Sequence, residues 1–180
     1  LSRTELVSGP RCGHSAAVEK FDESTASTYL QVALAAAREA AGISRSYYAG
    51  NFTVTTKADL TPVTQADVEC EQAIRDIILA EFPEHGFYGE ETGRTRENAD
   101  HLWLVDPIDG TKGFVRKYPF FSTQIALMHP SQLVLGVSSA PAAGEIAWGL
   151  RGGGAFIDAT PVRVSDRSAL SEAAVSTGNL

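Results

Sequence analysis

The chain has 180 residues, a net charge of -7 at pH 7, 43% hydrophobic and 21% charged residues. That length suits one ordinary domain with a core, and the balance is that of a globular protein rather than a fibre or a disordered chain. The acidic excess, with no Lys/Arg run, argues against nucleic acid as a partner. Cys12 and Cys70 lie far apart and match no CxxC or Cys/His zinc pattern, so two reduced thiols in a cytoplasmic protein are expected. No stretch has the apolar length of a membrane span, and the first twenty residues hold no signal-peptide core.

Residues 1–22, punctuated by Gly9, Pro10 and Gly13, read as a loose tail. From Ser24 the pattern is helical, with Leu30, Leu34 and Ala37 at helical spacing, Ser24 or Thr25 as cap, and fraying near Ser44–Tyr48. TVTTKADLTPVT, residues 53–64, predicts a short hairpin that turns at Ala58–Asp59. A second helix is expected from about Ala66 to Phe82. Thr64 is its N-cap, Asp67 the acid of a capping box, and Pro83 its stop. Val68, Ile74, Ile77, Ile78 and Phe82 form the predicted buried stripe.

Beyond Pro83 the chain reads as strands. GFYG runs into the acidic loop EETG, RTRENADH reads as a solvated linker, and LWLVD as a buried strand. FFSTQIALM, QLVLGVSSA, GEIAWGL and GAFID follow, separated by HPS, PAAG and RGGG turns. Short strands with short turns predict an antiparallel meander, and two helices ahead of it predict a layered α+β domain. SEAAVSTGNL, residues 171–180, is expected to open another strand. The expected organisation is a tail over 1–22, an α+β metal- and phosphate-binding domain over 23–170, and the first strand of a truncated C-terminal α/β domain over 171–180.

The stretch LVDPIDGTKGF, residues 104–114, sets Asp106 and Asp109 at the end of an apolar strand. Pro107 keeps Asp106 extended, which can leave the Ile108 carbonyl outside the ladder, and Gly110 permits a left-handed turn. Thr111 then starts a segment whose first amides have no helical partners. Two carboxylates and a loose carbonyl suit Mg²⁺, and free amides seat an anion. Together they have the layout a phosphate ester needs. A plain Asp-Pro/Asp-Gly turn is the alternative for the motif in isolation. A calcium loop fails, because the twelfth position from Asp106 is Lys117 rather than an acid. Glu90, in GEET, would meet Asp106 if GFY and LWLV lie side by side in one sheet. Asp67 either caps its helix, orients the Thr111 hydroxyl, or does both.

PVTQADVECEQAI, FYGEETG and WLVDPIDGTKGFVRKYPFFSTQIAL, in that order and spacing, resemble the inositol monophosphatase superfamily of Mg²⁺-dependent, lithium-sensitive phosphatases. The resemblance runs from about residue 28 to the last residue. KADLTPVTQAD, HGFYGEETG and DPIDGTKGFVRKYPFF are most similar to its histidinol-phosphate phosphatase branch. The fold implied is the inositol-monophosphatase-like (sugar phosphatase) one: two helices on a mostly antiparallel sheet, with the C-terminal α/β layer truncated. The resemblance implies that Glu90, Asp106 and the Ile108 carbonyl hold one Mg²⁺. Asp106 and Asp109 hold a second, within a set of two or three ions. Gly110, Thr111 and Asp109 face the phosphate. Thr111, with Asp67 and Glu90, deprotonates a metal-activated water. Lys57 is expected near the site without being catalytic.

The implied activity is hydrolysis of a small phosphorylated metabolite, foremost L-histidinol phosphate, with myo-inositol 1-phosphate and 3′(2′),5′-bisphosphonucleotides as rivals. A non-catalytic metal-binding fragment is the remaining alternative. Members of the superfamily carry a later W-D-x-A motif whose aspartate binds the second metal, and no such motif follows here. They commonly form dimers, although no local feature of this sequence marks an interface. RGGG, residues 151–154, lacks the lysine and helix of a P-loop, and no G-x-S-x-G elbow occurs. His14, His85, His101 and His129 read as satisfied surface histidines, and Tyr118-Pro119-Phe120-Phe121 as core at a strand start.

Overall fold

A computed structural model describes residues 23–56, 62–130 and 132–174. Helix α1 (Glu23–Ala49) packs along α2 (Gln65–Glu81). The buried side of α1 is rich in small side chains, Ala33, Ala36, Ala37, Ala40 and Ala41, and where the helices meet the buried Cys70 thiol donates to the Ala40 carbonyl at 3.4 Å. Alanines let two helix backbones approach closely without loss of helix propensity. The C-terminal end of α1 is closed by Lys117, whose Nζ donates to the Tyr48 carbonyl at 2.5 Å and the Gly50 carbonyl at 2.8 Å. A cation there answers the partial negative charge of the helix end.

Between the helices, β1 (Val54–Thr56) and β2 (Pro62–Thr64) form the predicted antiparallel pair, with Val54 opposite Thr64. The turn between them, including Lys57, lies outside the described residues, as does the 1–22 tail. Helix α2 has the full capping box, Thr64 with Asp67, and stops where the Phe82 amide donates back to the Ile78 carbonyl at 2.8 Å. Its buried stripe differs from the predicted one. Val68 is 48% exposed, whereas Ala66, Asp67, Cys70, Glu71, Ile74 and Ile78 are buried. Apolar periodicity misplaced the face because two of its members are carboxylates, which are tolerated in the interior when hydrogen-bonded.

One sheet carries β3 (Gly86–Gly89), β4 (Gly93–Thr95), β5 (Leu102–Asp109), β6 (Ser122–Met128), β7 (Leu133–Ala140), β8 (Glu145–Leu150), β9 (Gly154–Ile157) and β10 (Thr160–Val162). Its order is β10-β9-β8-β7-β6-β5-β3-β4. From β5 to β10 it is the expected antiparallel meander, while β3 pairs with β5 in parallel. Arg94 and Thr95, read as linker, belong to the edge strand β4, where Thr95 pairs with Phe87. Both α1 and α2 cover one face of the sheet, over β5, β6 and β7. On β6 the side chains alternate accordingly, with Thr123, Ile125 and Leu127 buried. The opposite face holds an open groove of about 810 Å³, floored by small residues such as Ala126, Gly136, Ala147 and Gly149 and reaching Glu90 and Asp106 at one end.

A short helix, α3 (Thr111–Val115), follows β5. Phe114 and Phe121 pack with Tyr48 at centroid distances of 5.8 and 5.0 Å, tying α3 to the end of α1. Of the aromatic run expected in the core, Phe121 is buried, but Tyr118 and Phe120 are exposed. His14 lies outside the described residues, and the other three histidines depart from the surface reading. His85, His101 and His129 stack in series, with centroids 4.6 and 4.1 Å apart, and Trp103 Nε1 donates to His85 Nδ1 at 3.0 Å. The starts of β3 and β5 and the end of β6 bring them together, which spacing along the chain could not reveal. A 3-10 turn spans Leu170–Glu172. Of the strand expected over 171–180, residues 171–174 are therefore turn and coil, and the rest lies outside the described residues.

Candidate active site

Strands β3 and β5 run in parallel with Gly89 opposite Val105, so the next residue of each, Glu90 and Asp106, emerges at the same edge. The Glu90 amide extends the pairing by donating to the Val105 carbonyl at 3.2 Å. Next, β5 bulges: Asp106 faces Gln124 and Asp109 faces Ser122, so Pro107 and Ile108 together oppose Thr123. The Thr123 hydroxyl secures the bulge by donating to the Pro107 carbonyl at 2.9 Å. The bulge takes Ile108 out of register with β6.

Gly110 turns the chain with φ 92° and ψ 32°. A Cβ there would lie 2.7 Å from the Phe120 carbonyl oxygen, so both torsion and space call for glycine. Thr111 begins α3, and its hydroxyl lies 3.0 Å from the Ile108 carbonyl and 3.3 Å from Asp67 Oδ1. The other Asp67 oxygen accepts from the Thr64 amide at 2.7 Å and the Thr64 hydroxyl at 2.6 Å. Asp67 thus caps α2 and reaches Thr111 at once. Burial pushes its carboxyl up from the usual range, against the lowering effect of those hydrogen bonds.

Asp106 is the most perturbed of these groups. Burial, followed by the carboxyls of Glu90, Asp109 and Asp67, pushes it up to about 8. Its carboxyl and that of Glu90 are close enough to share a hydrogen bond. Its Oδ1 is buried with no hydrogen-bond partner. A buried acceptor without a donor, among acids that repel it, has the chemistry of a cation ligand. Carboxylate and carbonyl oxygens are the donor set for a hard divalent ion such as Mg²⁺. Among the described residues no three Asp, Glu, His or Cys side chains converge to enclose an ion by themselves.

The sequence-predicted residues Glu90, Asp106, Ile108, Asp109, Gly110, Thr111 and Asp67 therefore gather at one edge of the sheet. Sequence pattern missed Glu71. It is fully buried, its Oε2 accepts from the Glu91 amide and its Oε1 from the Thr92 amide, each at 2.7 Å. The available signal was its position four residues after Asp67, on the same helical face.

This fold and this acidic edge define the class. The inositol monophosphatase family model matches residues 25–179, and the chain belongs to that family. It is 40% identical over 149 residues to a histidinol-phosphatase of Chlorobaculum parvum, covering 82% of this chain and 56% of the relative. It is 39% identical over 130 residues to an inositol-1-monophosphatase of Rhizobium meliloti, covering 71% and 48%. Among solved structures, the extragenic suppressor protein suhB of Bartonella henselae superposes with a TM-score of 0.74 at 34% identity, covering 78% of this chain and 55% of that one. The chain spans about half the length of these relatives. Among the described residues no helix is long and apolar enough to cross a membrane.

Proposed function

We propose that the chain is the metal- and phosphate-binding half of a Mg²⁺-dependent phosphomonoesterase. The substrate of the whole enzyme is L-histidinol phosphate, cleaved to L-histidinol and phosphate in histidine biosynthesis. The observation that carries the reading is the orphaned Asp106 oxygen beside Glu90 at the ends of two parallel strands. Similarity to histidinol-phosphatase supports the substrate, and the similar identity to an inositol-1-monophosphatase names the chief rival.

In this reading Glu90, Asp106 and the Ile108 carbonyl hold one Mg²⁺, and Asp106 with Asp109 holds a second. When bound, Mg²⁺ supplies positive charge that polarises the phosphoryl oxygens and makes water easier to deprotonate. The Gly110 and Thr111 amides, at the start of α3, donate to the phosphoryl oxygens. The Thr111 hydroxyl gives its proton toward Ile108 or Asp67, which leaves its lone pairs to accept from an attacking water. Asp67, with its carboxyl raised by burial, is the stronger base for it. Lithium is expected to inhibit by occupying the same oxygens. The test is phosphate release with Mg²⁺ from L-histidinol phosphate, myo-inositol 1-phosphate and a 3′(2′),5′-bisphosphonucleotide. Fastest release from histidinol phosphate supports the substrate assignment, and faster release from either rival removes it.

A second reading, a metal-binding piece without turnover, is favoured by the open 810 Å³ groove and by the half-length match to the relatives. It predicts Mg²⁺ binding with little phosphate release from these 180 residues.

A further inference from the structure

We propose that Glu71 is a positioning residue, the clamp that holds the Glu90 loop in its metal-binding shape; the proposal rests on the metal reading above. Glu71 is wholly buried, and a carboxylate in that setting needs donors for both oxygens. It finds them in consecutive main-chain amides, Glu91 N–H and Thr92 N–H, each at 2.7 Å. With the Glu90 amide held by the Val105 carbonyl, three successive amides are fixed, and the Glu90 backbone has little freedom left. The fit is tight from the loop side as well. A Cβ on Gly89 would lie 2.2 Å from Glu71 Oε1, 2.3 Å from Cδ and 2.6 Å from Oε2.

The helical spacing adds a second consequence. Asp67 and Glu71 are one turn apart on the buried face of α2, and each reaches a different part of the site. Asp67 meets Thr111, just after the DPIDG bulge, while Glu71 meets the 89–92 loop. The β3–β5 pairing sets Glu90 beside Asp106, and a single helix braces the loop on one side and Thr111 on the other. Packing alone does not account for Glu71, since an apolar side chain would fill the space without its two charge-assisted bonds. Groups that orient metal ligands in this way alter metal affinity by about 10–100-fold when changed.

Glu71→Gln tests the clamp with nearly unchanged shape, because one of the two amides then faces an NH₂ group. Amide exchange by NMR should speed up by about tenfold or more at Glu91 or Thr92, and Mg²⁺ affinity by calorimetry should drop by about tenfold. Wild-type exchange at both amides, or faster exchange with unchanged Mg²⁺ affinity, would overturn the proposal. Glu90→Gln is the comparison: it should lose Mg²⁺ while keeping both amides protected. The wild-type protein provides a readout that needs no variant. If opening the clamp dismantles the site, Mg²⁺ at about 100 times its dissociation constant slows exchange of both amides by about 100-fold. Exchange insensitive to bound Mg²⁺ overturns the clamp even if Glu71→Gln does not fold. Absence of Mg²⁺ binding by the wild type instead refutes the metal reading itself.

Discussion

Asp106→Asn should stabilise the metal-free protein while abolishing its response to Mg²⁺. The Asp106 carboxyl is raised from 3.8 to about 8 by burial and by the acids around it, so the folded state holds its proton more tightly than the unfolded state. The sign follows: its stability contribution is fully present below about 4 and is lost as pH rises through about 8. Each pH unit of that displacement is about 1.4 kcal/mol at full value. Because the carboxyl is half-buried rather than enclosed, more than half must be discounted, which leaves about 2 kcal/mol. For a chain of this size that is about 4–8 °C in Tm. The assay is thermal and urea unfolding of both proteins in chelator, across pH 4 to 8, and again with Mg²⁺. Wild type should lose stability as pH rises and regain it with Mg²⁺; Asp106→Asn should be the more stable at pH 8 and indifferent to the ion. A variant less stable than wild type in chelator at pH 8 would refute the reasoning, since it would mean that the carboxylate is already well compensated.

Gly110→Ala should cost about 2–4 kcal/mol, combining the left-handed torsion with the approach to Phe120. Gly110→Asn should do no better, because the Cβ contact remains; full rescue by Asn in urea unfolding would show that torsion alone matters. Thr111→Ala should cut turnover of the whole enzyme by about 100-fold or more with little change in Mg²⁺ affinity, and equal loss of both in kinetics and calorimetry would make Thr111 a structural residue. His85 is pushed down to about 4, mainly by burial with His101 and His129 adding, and His101 is lowered too. The His85 contribution to stability is therefore present above about 6.5 and lost as pH falls toward 4, opposite in sign to that of Asp106, and that of His101 has the same sign. In the Asp106→Asn background His85→Gln should flatten that acid-side loss in unfolding curves, and an unchanged slope would contradict it.

Much of the site was legible because its chemistry is local. DPIDGT carries its own bulge, its left-handed glycine and its helix start within six residues, and the Thr64–Asp67 capping box spans a single turn. Glu90 needed one further step, the side-by-side placement of two strands, which two short apolar segments ending in acids made readable. Glu71 and the histidine stack were not legible. Glu71 has no local signal of burial, because its donors lie about twenty residues away in a loop. The same blindness shifted the α2 stripe onto Val68, since apolar counting assigns carboxylates to water. His85, His101 and His129 converge where β3 and β5 begin and β6 ends, a proximity created by sheet order. Strand β4 was hidden by its charged composition, which suits an exposed edge.

The account depends on a cation held between Glu90 and Asp106 next to the start of α3. A crystal grown with Mn²⁺ and phosphate would locate the ion by its anomalous signal. The account predicts a peak with oxygens of both carboxylates about 2.1 Å away and phosphate against the Gly110 and Thr111 amides. Density for Mn²⁺ elsewhere, with no ion between Glu90 and Asp106, would contradict it.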